Sequence, residues 1–337
     1  MLVRAAGCVQ RAARRYSSLR TDETYDLIVV GGGVMGAWTA VMAREMGASV
    51  VLADQFLPAH EHGSSHGDGR IYRLAYNEDL YVDMMLRSLP RWHELQAFAG
   101  EDLLTRTGGL NLAPTDGAGV DRDLKEQSDL YARRGIEHEW LTAGEVNARF
   151  PQFQLAEGKH AALFSPEIGI LRASKCVAAA WRYAASLGVH TCSPFRASSL
   201  AAPADGVSTS EPVVVEGDDG TILRGRSLVL APGAWLTTLA RDLLGLSIPT
   251  HVSAETVCYY APRAGCTIDH SFRSMRTLLS STQSPAYICP PGPATKHAAC
   301  RSAPTCCGTR AHLLLGASRT LLTWYPSCAT RAGRTPY

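Results

Sequence analysis

Between Asp26 and Asp54 the chain reads strand, glycine turn, helix, strand, and few folds accept that order at that spacing. Asp26-Leu27-Ile28-Val29-Val30 is an apolar β run, and Gly31-Gly32-Gly33-Val34-Met35-Gly36 follows it. Apolar positions Ala37, Ala40, Val41, Ala43 and Met46 then recur at helical spacing, and Gly47 ends the helix in the manner of a C′ glycine. Ser49-Val50-Val51-Leu52-Ala53 is a second β run closed by Asp54. The glycines satisfy G-x-G-x-x-G in the strand–turn–helix context that gives the pattern its meaning, and an acid stands at the end of the next strand. Gly31 suits a tight turn, Gly33 lets backbone approach a pyrophosphate, and Gly36 lets helix and strand pack closely. The helix N-terminus offers free N–H groups and positive potential to phosphate. Asp54 is placed to accept hydrogen bonds from ribose hydroxyls, which disfavours a 2′-phosphate. The pattern predicts dinucleotide binding but does not choose between FAD and NAD.

Charge divides the rest of the chain. Of 337 residues, 1–20 hold five Arg and no acid, 21–261 carry −11, and 262–337 carry +8 with Asp269 as the one acid. The net charge of +2 is therefore a cancellation and argues against a dedicated nucleic-acid binder. No apolar run is long enough for a transmembrane helix. The N-terminal stretch from Met1 to Arg20, with Arg4, Arg11, Arg14 and Arg15 among Ala and Leu ahead of Ser17 and Ser18, has the character of a mitochondrial transit peptide. A basic extension without that role is the other reading.

Residues 262–337 hold six of the ten Cys and eight of the 18 Pro, without a sustained helical or strand period. This is the composition expected of a shifted reading frame or retained intron. A disordered tail and a folded element are the alternatives. No zinc-type Cys/His spacing occurs, so no metal site is expected.

Along the body, helices are predicted over 78–99, 118–134, 143–150, 173–186 and 235–244, and strands near 107–113, 163–164, 213–215 and 228–230. The fold class is α/β, a Rossmann-type dinucleotide-binding domain with an interleaved α+β substrate domain that is incomplete. The expected division is 24–86 and 152–240 for the first, 87–151 and 241–261 for the second, with 1–23 and 262–337 as extensions.

Gly63-Ser-Ser-His-Gly-Asp-Gly-Arg-Ile-Tyr-Arg-Leu-Ala-Tyr76 decides between cofactors. It resembles the signature after the second strand of the monomeric and peroxisomal sarcosine/pipecolate oxidases, FAD-dependent amine oxidases of the D-amino-acid-oxidase superfamily. Asp54-Gln55-Phe56, Thr107-Gly108-Gly109-Leu110, Arg149-Phe150-Pro151, Leu230-Ala231-Pro232-Gly233-Ala234-Trp235 and Val257-Cys258-Tyr259-Tyr260 are similar to further family elements. The resemblance spans about 24–261 and implies FAD as cofactor. It implies oxidation of the C–N bond of a small secondary amino acid, with dioxygen as acceptor and hydrogen peroxide as product. It places Gly31, Gly33, Met35, Gly36, Asp54, Gln55, Ser64, Ser65, Arg70, Gly233 and Trp235 at the cofactor. Arg70, Arg73 and His66 become the catalytic set, Arg70 beside the flavin and Arg73 on the substrate carboxylate, a task that suits a guanidinium.

Two departures stand out. Gly69 replaces the usual Thr or Ser, and Tyr72 replaces an aliphatic residue, which is mild if its hydroxyl finds a partner. The family's remaining active-site strands, its flavin-attaching Cys and its second carboxylate-binding Lys find no match in 262–337, and neither Lys296 nor Cys328 takes such a role. A nucleotide-binding fragment without catalysis is therefore the rival reading. Family relatives are typically peroxisomal through a C-terminal tripeptide, and Thr335-Pro336-Tyr337 is not one.

Overall fold

The computed structural model describes residues 23–115, 120–150, 155–201, 211–252, 276–279 and 287–288. The transit-peptide reading of 1–20 and the family elements at Pro151 and Val257–Tyr260 lie outside them, as do Lys296 and Cys328. The chain forms two compact units, one from 1–70, 90–104 and 171–256, the other from 71–89, 105–170 and 257–337. No helix among the described residues is long and apolar enough to cross a membrane.

The first unit is built on strands β1 (Thr24–Val30), β2 (Val50–Ala53), β9 (His190–Cys192), β10 (Ala197–Ala201), β11 (Val213–Gly217) and β12 (Ile222–Leu230). Their order is β10-β11-β12-β1-β2-β9, with β12, β1, β2 and β9 parallel and β10–β12 antiparallel. Successive residues of β1 and β2 meet different layers, which explains their unbroken apolar runs. Ile28, Val30, Val51 and Ala53 pack with Phe195, Val215 and Leu223 in one cluster. Val29 faces the helix α1 (Val34–Glu45), lying 3.3 Å from the Cβ position of Gly36. The predicted helix over 173–186 is α5 (Ala173–Ser186), and α6 (Leu236–Leu244) follows a single 3-10 turn at Gly233–Trp235.

The second unit holds a sheet ordered β14-β13-β5-β7-β6, from β5 (Gly109–Pro114), β6 (Glu139–Thr142), β7 (His160–Ser165), β13 (Arg276–Leu279) and β14 (Tyr287–Ile288). Helix α4 (Ala143–Arg149) starts at a capping box readable as Thr142-x-x-Glu145, Thr142 Oγ1 accepting from Glu145 N and Glu145 Oε2 from Thr142 N. Val146 and Ala143 of α4 join Leu110, Leu112, Ala162 and Phe164 in one core. Because strand side chains alternate, Gly109, Asn111, Leu163 and Ser165 share the opposite face. Helix α3 (Val120–Arg133) meets Asn111 there through Gln127. Arg149 of the Arg149–Phe150–Pro151 element is structural, spanning Glu139 at 2.9 Å and the Phe164 ring at 4.3 Å.

Two findings differ from the sequence expectation. The chain changes unit at 70, 89, 104, 170 and 256, whereas the sequence suggests changes near 86, 151 and 240. Three of the changes fall in β3 (Arg70–Tyr72), β8 (Gly169–Leu171) and β4 (Leu104–Arg106), each three residues long and too short to display a period. A fourth falls at Pro90 inside α2 (Asp79–Ala99), whose apolar spacing runs through without a break. The second difference is in the tail. The sequence shows no sustained period in 262–337 and a folded element there is only one of its alternatives, yet β13 pairs in parallel with β5, and β14 pairs with β13. The short patches Thr277-Leu278-Leu279 and Tyr287-Ile288 suit strands, and β13 occupies what would otherwise be an open edge of β5.

Candidate functional site

In the first unit, the C-terminal ends of β1 and β2 carry the fingerprint. Gly31 has φ +104°, and a Cβ on it would lie 2.2 Å from the carbonyl oxygen of Ala231. A Cβ on Gly36 would lie 1.8 Å from the carbonyl oxygen of Gly31. The tight turn and the close packing expected of these two glycines are both present, and each excludes a side chain for steric reasons. Gly33 is the N-cap of α1, and the first turn of that helix has neither a capping side chain of its own nor an acid. Its Cβ position faces Ser65 Oγ at 3.1 Å, and Val34 N donates to that oxygen, also at 3.1 Å. Ser65 is thereby seated at the N-terminal end of α1. Met35, next in the turn, points outward with 73% of its surface exposed.

Asp54 is buried, with Oδ2 accepting from Gly32 N at 2.5 Å and Oδ1 from Phe56 N at 2.8 Å. Both bonds hold the carboxylate at the ends of β1 and β2. His60 Nε2 stands 3.8 Å from Oδ1. Burial holds the His60 imidazole below its ordinary range and the neighbouring His62 and His66 add to that, while Asp54 opposes. Gln55 is half-buried beside Asp54. Rings gather around this end: Phe56 lies 4.8 Å from His60, 4.4 Å from His62 and 5.8 Å from Trp235. Gly233 has φ +59° at the start of the turn that presents Trp235. Arg70 Nη2 donates to the carbonyl oxygen of Ser64 at 2.6 Å, closing the loop over 64–70.

One contributor has no signature in the glycine motif. Trp181 of α5 is fully buried, donates from Nε1 to the carbonyl oxygen of Gly32 at 2.7 Å, and its ring would lie 2.1 Å from a Cβ on Gly32. In the sequence Trp181 stands at helical spacing with Ala178 and Ala185, but Ala178 is half-buried and Ala185 exposed; the buried face runs through Val177, Ala180, Trp181 and Ala184, and the period says nothing of the partner of Trp181. The middle glycine of the triplet is required by this indole.

The first unit thus brings together Gly31, Gly33, Gly36, Asp54, Ser65 and, through the loop, Ser64 and Arg70. Arg73 lies just beyond in the chain but in the second unit. It is half-buried, and among the described residues it makes no hydrogen bond or ion pair; its guanidinium sits over the Tyr76 ring at 5.1 Å. Tyr72 is fully buried and its hydroxyl donates to the carbonyl oxygen of Met85 at 2.9 Å, the partner that a buried Tyr requires. Burial pushes its phenol up to about 12.

The side-chain-free glycine positions, the helix N-terminus without an acid in its first turn and the buried acid fit an adenine dinucleotide. Gly31, Gly33, Val34 and Ser65 would hold its phosphates and Asp54 its ribose. Replacing Asp54 with Asn turns one backbone N–H toward an amide N–H₂. Dinucleotide affinity is then expected to fall about tenfold, since hydrogen bonds to charged groups carry about 1.5–3 kcal/mol. Titration of the full chain with FAD and with NAD reads this, and unchanged affinity would remove Asp54 from the site.

Comparison with known proteins agrees with this geometry. The family model described as FAD dependent oxidoreductase matches residues 26–321, running into the segment where no family landmark is legible. The peroxisomal sarcosine oxidase of Mus musculus is 32% identical over 244 residues, covering 70% of this chain and 57% of that protein. The monomeric sarcosine oxidase of Streptomyces avermitilis is 31% identical over 243 residues, covering 72% and 59%. The chain therefore spans less than two thirds of the length of these relatives. Among solved structures, the open form of NikD, an unusual amino acid oxidase essential for nikkomycin biosynthesis, aligns with TM-score 0.55 and 26% identity over 66% of this chain and 54% of that one. Glycine oxidase from Geobacillus kaustophilus aligns with TM-score 0.54 and 25% identity over 66% and 59%. With its dinucleotide cradle in place and 26–321 matched to the family model, the chain belongs to the FAD-dependent oxidoreductase family, and the cofactor of that family is FAD.

Proposed function

We propose that the chain is an FAD-dependent amine oxidase acting on a small secondary amino acid of the sarcosine or pipecolate kind. The observation that carries the substrate class is Arg73, a half-buried guanidinium with no anion of the described residues against it. Such a cation is costly to keep unless an anion completes it, and a carboxylate matches its fork of donors. In the overall reaction the carbon next to nitrogen loses two electrons and a proton, and the nitrogen gives up its own proton, so two electrons and two protons leave the amine. Water hydrolyses the resulting imine, and dioxygen is reduced to hydrogen peroxide. Bound FAD supplies the two-electron acceptor. Arg73 orients the amino acid by its carboxylate. Arg70, tied to the Ser64 carbonyl, brings positive charge to the loop beside the cofactor, and His66 lies in that same loop.

The full chain loaded with FAD is expected to release peroxide with at least one of sarcosine, proline and pipecolate. If it holds FAD and none of these reduces the flavin, the oxidase reading fails. The second reading is then a nucleotide-binding chain without turnover, supported by a cradle of Gly31, Gly36 and Asp54 that stands within the first unit alone. For location, the Arg-rich start supports the mitochondrion, and two relatives are named peroxisomal. Fractionation of cells making the full chain and a form lacking 1–20 separates the two addresses.

A further inference from the structure

Asp54 is buried but not saturated. A carboxylate offers about four lone-pair sites. Gly32 N on Oδ2 and Phe56 N on Oδ1 occupy part of that capacity, and the rest is free to accept from hydroxyls. His60 stands on the Oδ1 side, with Nε2 3.8 Å from that oxygen, too far for a direct hydrogen bond. The imidazole is held from its other edge. His62 N donates to His60 Nδ1 at 3.1 Å, and the ring lies 4.8 Å from Phe56 and stacks on His62 at 5.7 Å. A backbone N–H meets only the unprotonated ring nitrogen, so the neutral imidazole carries its proton on Nε2, the nitrogen turned to Asp54. Burial holds the ring below its ordinary range, which leaves it neutral at pH 7. Nε2 has no hydrogen-bond partner among the described residues. The pair is open to a ligand: 19% of the His60 side chain and 9% of the Asp54 side chain are exposed.

A donor and an acceptor at that separation leave place for one oxygen that meets each of them at about 2.7–3.0 Å. The oxygen must donate to the carboxylate and accept from the imidazole. A hydroxyl does both, whereas a phosphate ester at that position offers acceptors alone. We propose that His60 is a cofactor-binding, specificity-determining residue, its Nε2–H donating to one ribose hydroxyl of the dinucleotide while that hydroxyl donates to Asp54 Oδ1. The inference rests on Asp54 as the ribose acid of the cradle and deepens that reading. Asp54 by itself accepts from any donor. The pair selects a hydroxyl whose proton and lone pair are both available, which is an unphosphorylated ribose.

The test strips FAD from the full chain and titrates parent and His60→Phe with FAD and with two FAD analogues, lacking the 2′- or the 3′-hydroxyl of the adenosine ribose. Quenching of flavin fluorescence reads affinity. Phe keeps a ring against Phe56, and His60→Leu, which also lacks the donor, provides the same comparison if the Phe variant does not fold. The variant is expected to bind FAD about fivefold more weakly than the parent, the worth of one neutral hydrogen bond. It should bind one of the two analogues as well as the parent does, because that analogue has no oxygen for His60 to reach. Equal FAD affinity in variant and parent overturns the proposal and leaves Asp54 as the ribose acid. The same loss for FAD and for both analogues also overturns it, since His60 would then act through packing of the loop. A parent that binds FAD and both analogues equally overturns the ribose reading of Asp54 and this proposal with it.

Discussion

Gly31→Ala is expected to cost the first unit about 3 kcal/mol or more and to leave little FAD-retaining protein. Two penalties combine. A Cβ at φ +104° is strained for any L-residue, at about 1–3 kcal/mol. The same atom falls 2.2 Å from the Ala231 carbonyl oxygen, so the chain leaving β12 must give way, for about another 1–3 kcal/mol. Gly47 separates the two effects. Its φ of +94° is similar, but nothing lies within 4 Å of its Cβ position. Gly47→Ala should therefore show only the conformational part, about 1–2 kcal/mol. Urea unfolding followed by tryptophan fluorescence, with flavin absorbance of the purified chain, measures both variants. Equal destabilisation by the two would mean that closeness to Ala231 is irrelevant, and would undo the account of the cradle as a sterically closed turn.

The second large effect is expected at Trp181. Truncation to Ala removes a fully buried indole and should cost about 3–5 kcal/mol. Trp181→Phe is the more informative change. It keeps much of the ring but removes the donor to the Gly32 carbonyl, so the loop between β1 and α1 loses its tether. The variant is expected to fold and to bind FAD several-fold more weakly, read by titration of flavin fluorescence. If it binds FAD as tightly as the parent, the indole serves packing alone.

Gly31 and Trp181 show what the sequence makes legible. Gly31, Gly36 and Asp54 are readable because the strand–turn–helix geometry fixes residue types at fixed offsets between Thr24 and Asp54. Trp181 is far along the chain from Gly32, and a helical period reports burial without naming what is touched. The helices over 173–186 and 79–99 are long enough to display their period, whereas β3, β4 and β8 are not. Arg70 and Arg73 read as one motif, yet the change of unit after Arg70 sends them to different bodies. Periodicity cannot reveal that, since it depends on which strands pair.

The closure of the glycine turn by Ala231 and Trp181 has a bearing on synthesis. The glycine fingerprint and the segment that decides between cofactors lie between Gly31 and Tyr76 and leave the ribosome early. The turn that this segment makes is not closed until α5 and the end of β12 have followed. A nascent chain that stops short of Ala231 therefore carries the motif without the cradle. Interruptions of translation before that point should yield chains that FAD cannot rescue, whereas changes confined to 262–337 spare every described contact of the cradle.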